Sequence, residues 1–143
     1  MPAFRGALEG RGRLSRERRQ YHLKRILTAV LSDEKLEDPR WNSISVVFSM
    51  PKGGRNFANA GYAYSEGRDW WAVSFPVTSV RESVVDFLEE KVGGVPDGLS
   101  RVLLQYNRST QHALLSVELE EPERWDLSPE NAREKIEEVR PSV

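Results

Sequence analysis

The chain has 143 residues, 38% hydrophobic and 9% aromatic, which is material for one domain that buries roughly two thirds of its unfolded surface and excludes a wholly disordered protein. It has no cysteine, so a disulfide framework, a thiolate metal site and a cysteine nucleophile are all excluded. The formal net charge of −1 hides a division: residues 1–25 hold eight Arg or Lys against two Glu, or +6, while the other 13 basic and 20 acidic residues leave −7 on the remainder. A basic arm joined to an acidic body points to recognition by charge complementarity rather than to bond-making.

Residues 1–13 scatter Pro2, Gly6, Gly10 and Gly12 among arginines and read as a flexible basic arm, leaving 14–143 as a single α+β domain. No apolar run near Met1 suits a secretory signal and none is long enough to span a bilayer, so residence in the cytoplasm is expected. From Ser15 a helix is predicted, because Leu23, Ile26, Leu27, Val30 and Leu31 recur at three- and four-residue spacing; it ends near Ser32, ahead of Asp38-Pro39. Ser15 is its cap, although Arg18 stands where a capping box prefers Glu.

Beyond Trp41 the period falls to two. Ile44, Val46, Phe48 and Met50 alternate with smaller or polar residues, Pro51-Lys52-Gly53-Gly54 turns the chain, and a second strand runs from Phe57 to Tyr64. Glu66-Gly67-Arg68-Asp69 turns it again into Trp70-Trp71-Ala72-Val73, completing a three-stranded meander. Adjacent Trp70 and Trp71 must point to opposite faces of that strand.

Ser79-Val80-Arg81-Glu82 has the form of a capping box, followed by an apolar stripe of Val80, Val84, Phe87, Leu88 and Val92 that stops at Gly93-Gly94. Val102 to Tyr106 and Ala113 to Leu119 then form a hairpin around Asn107-Arg108-Ser109-Thr110. A last helix is expected from Ser128 as cap and Pro129 as first residue, with Leu127 stapled onto Ala132 and with Ala132, Ile136 and Val139 as its buried edge. The predicted order is α-βββ-α-ββ-α: an antiparallel sheet of about five strands with helices packed on one face.

Catalytic groups are sparse. His22 on the basic helix reads as a surface residue and His112 as a solvated turn residue, so no metal site, cofactor or catalytic cluster is expected. Gly53-Gly54 and Gly93-Gly94 lack the following Lys-Ser/Thr and the spaced third glycine of a phosphate loop. Glu118, Glu120, Glu121, Glu123 and Asp126 form an acidic rim, with Trp125 inside it.

The N-terminal helix leading to Trp41-Asn42-Ser43-Ile44-Ser45-Val46, the meander, the helix at 79–92 and the hairpin ending in Val117-Glu118-Leu119-Glu120-Glu121 resemble the YezG-like family of bacterial immunity proteins. The likeness covers roughly residues 15–125 and departs where the family's usual glycine before the last strand is replaced by Thr110-Gln111. The resemblance implies a protein without enzymatic activity that binds and neutralises a cognate toxin, often a nuclease. The expected contact surface is then Glu118, Glu120, Glu121, Glu123 and Asp126 with Trp125, Tyr62, Tyr64 and Trp71 as aromatic anchors. The alternative is a nucleic-acid-associated module that uses Arg11, Arg13, Arg16, Arg18, Arg19 and Arg25, and a homodimer would let the acidic body receive those arginines.

Overall fold

The computed structural model describes residues 14–50, 57–92, 100–118 and 122–141. The first helix, α1 (Arg16–Leu31), is followed by β1 (Ser43–Met50), β2 (Ala58–Tyr64) and β3 (Trp70–Val73). Next come α2 (Val77–Val92), β4 (Ser100–Asn107), β5 (His112–Glu118) and α3 (Ala132–Glu138). Single 3-10 turns lie at Glu34–Glu37 and Pro122–Trp125. The expected order α-βββ-α-ββ-α is the observed one, and the strands make a single antiparallel sheet ordered β3-β2-β1-β4-β5. The turn at 51–54, the helix stop at Gly93-Gly94 and the arm at 1–13 lie outside the described residues.

The central strand is β1, paired through Val46↔Gly61 to β2 and through Val46↔Leu104 to β4. Ile44, Val46 and Phe48 point to one face, where Val102, Leu104, Ala63 and Val73 join them under Ile26 and Val30 of α1 and Val80, Val84 and Leu88 of α2. Burying each such side chain stabilises the fold by roughly 1.5–3 kcal/mol. Two helices therefore cover this face, while the third, expected on the same side, does not. α3 takes the opposite face, where Ile136, Val139 and Trp125 close over Val47, Leu103, Tyr62 and Tyr64. Serines hide this second core in the sequence, because Ser43, Ser45 and Ser49 give β1 an apparently solvated side although Ser43 and Ser45 are buried.

Helix starts follow local bonding. The Ser15 hydroxyl accepts from the Arg18 amide at 3.1 Å, as expected of the cap. α2 begins two residues before the predicted Ser79 cap: the Asn59 side chain bonds both backbone groups of Phe75, at 2.8 and 2.9 Å, and the helix starts directly after Pro76. α3 begins at Ala132 instead of Pro129, because the Asn131 side chain accepts from the Ser128 amide at 2.9 Å and folds 128–131 into a turn.

In the β4–β5 hairpin the Asn107 side-chain oxygen accepts from the amides of Ser109 and Thr110, and Gln111 takes φ = 57°. That is the left-handed region glycine enters freely, and Gln111 is the only non-glycine residue there among those described. Gly61 has a different constraint: a Cβ built on it would lie 2.1 Å from the Ser45 carbonyl oxygen of the adjacent strand.

Candidate functional site

Past the end of β5, the chain crosses the second face of the sheet through Pro122–Trp125 and enters α3. Residues 118–141 hold nine Asp or Glu against four Arg or Lys, a net −5. Much of the expected rim is internally paired. Glu118 carries only 19% side-chain exposure and lies 3.5 Å from Arg124, while Asp126 lies 2.5 Å from Arg101. Arg101 is buried, with Nε and Nη1 left without hydrogen-bond partners, so Asp126 holds the counter-charge of a desolvated guanidinium. Glu120 and Glu121 lie outside the described residues, as does the side chain of Glu123.

The expected aromatic anchors are corrected by their burial. Trp125, Tyr62 and Tyr64 are 6%, 4% and 0% exposed, because they fill the second core under α3. The Tyr64 hydroxyl donates to the Ile136 carbonyl at 2.7 Å and lies 3.0 Å from the Ser45 hydroxyl. Gln105 Nε2 donates to the Val139 carbonyl at 2.8 Å and Lys135 Nζ to the Arg124 carbonyl at 2.6 Å. A seven-residue helix is too short to stand alone, and these bonds supply what its own ladder lacks. Trp71 packs against the first core with the Arg40 guanidinium 5.0 Å from its ring centre, so the exposed member of the pair is Trp70.

The charged side chains that face water on and before α3 are mostly carboxylates, Asp126, Glu130, Glu134, Glu137 and Glu138, with Arg124 and Arg133 exposed among them. All of these carboxylates but Asp126 are absent from the expected site, although their crowding between 130 and 138 is the sequence signal for it. Glu137 pairs with Arg140 and Glu138 with Lys135, both one helical turn away and both surface pairs of small energetic weight.

Part of the basic helix is engaged within the fold. Arg18 makes a two-pronged contact with Glu90 of α2, with Nη2 2.7 Å and Nε 3.1 Å from carboxylate oxygens, and Arg25 reaches Asp86 at 2.7 Å. His22 is 2% exposed, contrary to the surface position expected, because it sits between the helices with Nε2 2.9 Å from Glu90 and its ring against Phe87. Its Nδ1 is buried without a partner. The bonds from Arg18, and then from His22, hold the Glu90 carboxyl below the usual range, while Glu90 and Asp86 push the Arg18 and Arg25 guanidinium groups up. Of the six arginines in the nucleic-acid reading, Arg16 and Arg19 are exposed without such commitments, and Arg11 and Arg13 lie outside the described residues.

His112 is exposed at the start of β5, as expected. Among the described residues no group of three or more His, Cys, Asp or Glu is arranged to hold a metal ion, and no helix is long and apolar enough to cross a membrane. Compared with known proteins, the chain matches no family model, no curated protein and no solved structure.

Proposed function

We propose that this chain is a non-enzymatic immunity-type protein of the cytoplasm, which neutralises a cognate cationic toxin domain by covering it with the acidic surface of α3 and the segment before it. The carrying observation is the group of exposed carboxylates at Glu130, Glu134, Glu137 and Glu138, set on a rigid face by the bonds from Tyr64 and Gln105. Such a surface attracts a basic groove that ordinarily holds a phosphate backbone, and steers its approach. The likeness to YezG-like proteins supports the same reading. The nucleic-acid reading is weakened by Arg18 and Arg25, whose charge is taken up within the chain by Glu90 and Asp86.

The test is co-expression with the toxin domain encoded beside this chain's gene, followed by binding kinetics of the purified pair. Growth rescue is expected, together with an association rate that falls steeply with added salt. Reversal of Glu130, Glu134 and Glu137 to Lys slows association by about tenfold or more, while reversal of Arg16 and Arg19 does not. Failure of the neighbouring gene product to bind, or binding insensitive to the glutamate reversals, overturns the proposal.

A further inference from the structure

Beside the acidic surface, on the outer side of the β2–β3 ribbon, lies a groove of about 590 Å³. It is lined by Ala60, Tyr62 and Trp70 from the ribbon, by Leu127 and Pro129 from the segment before α3, and by Lys35. Cavities of this size with apolar walls and a few polar groups are the usual seats of small molecules.

Two observations define what fits. The first is a polar group: Tyr62 lines the groove, and its hydroxyl makes no hydrogen bond to another described residue. Burial raises its ionisation above the ordinary value, so near neutral pH it is a phenol able to donate. The second is charge: among the described residues that line the groove, Lys35 is the one charged side chain. Its ammonium lies 3.4 Å from Asp33, a long and exposed pair that leaves donors for another acceptor.

The aromatic lining sets the shape. Trp70 meets Tyr62 edge to face, with ring centres 5.4 Å apart at 86°, and is 37% exposed, so part of its indole is open for a flat apolar body to cover. We infer that this groove binds a small aromatic carboxylate, with its ring system on Trp70 between Leu127 and Pro129 and its carboxylate received by the Tyr62 hydroxyl and the Lys35 ammonium. The site is separate from the carboxylates proposed to meet a toxin, and it stands or falls independently of them.

The experiment is a titration of the isotope-labelled full chain with naphthoate, naphthylmethanol and naphthylmethylammonium, read from amide and indole resonances. Saturable shifts are expected at Ala60, Trp70 and Ala132, with the carboxylate bound tightest and the ammonium weakest. Tyr62→Phe, which keeps the ring, weakens the carboxylate about fivefold, the effect of one hydrogen bond. Lys35→Glu, at a side chain with 47% exposure, inverts the order of the charged probes, and Trp70→Ala weakens all three about tenfold. Shifts outside the groove, no saturation with any probe, equal affinities for all three, or a Tyr62→Phe chain that binds like the parent would each overturn the assignment.

Discussion

The Tyr64 hydroxyl is shut away from water between Ser45 and the Ile136 carbonyl, and burial pushes its ionisation up to about 12. The folded state therefore favours the neutral phenol. The resulting stability is fully present below the ordinary value of 10.0 and disappears as pH rises through about 12. Tyr64→Phe strands the Ile136 carbonyl, so a loss of about 1–3 kcal/mol is expected in urea unfolding, together with a shallower decline on the alkaline side. Gln111→Gly acts in the other direction. It relieves a left-handed cost of about 1–2 kcal/mol while adding about 0.4–1 kcal/mol of unfolded-state freedom, so the hairpin gains a few tenths to 1 kcal/mol, readable as a higher Tm. The sequence shows that Tyr62 and Tyr64 share a side of β2 with Ala60. It does not show that this side is covered, because the cover is Trp125, Ile136 and Val139 from far downstream.

Among the elements, α1 and α2 are joined by a polar seam over an apolar one. Glu90 takes contacts from Arg18 and His22, and its depressed ionisation means that its contribution is present above the ordinary carboxyl value and is lost as pH falls through the folded one. Since Glu90 keeps a third of its side chain in water, Glu90→Gln is expected to cost only about 1 kcal/mol. The clearer signature is a flattened acid limb in the stability profile, accompanied by faster hydrogen exchange in α1. Helical and strand periods made these elements legible from residue spacing alone. Their ends were less so: the start of α2 depends on Asn59, sixteen residues before Phe75, and the apparent basicity of α1 is offset by Glu90 and Asp86, which no local window contains.

For the whole molecule, the sheet divides two charge environments, with a helix pair joined by ion pairs but still exposing Arg16 and Arg19 on one face, and a surplus of carboxylates around α3 on the other. The acidic character of the C-terminal third was legible, but its location was only partly so, since Glu118 pairs within the chain, Asp126 pairs with Arg101 while staying exposed, and the other outward carboxylates lie further along. Gly61 shows how little slack joins the two faces. Gly61→Ala places a methyl group against the Ser45 backbone, and a loss above about 3 kcal/mol is expected, seen as a reduced folded fraction in circular dichroism.

The central position of β1 also shapes how the chain is made. A ribosome releases β1, β2 and β3 in order, and these can zip into a ribbon, but the other edge of β1 must wait for β4. During that interval the central strand of the sheet offers unpaired amides and carbonyls to any neighbouring nascent chain. Slowed translation through α2 would lengthen this exposure, so the yield of native protein depends on how quickly residues 100–107 emerge to close the sheet.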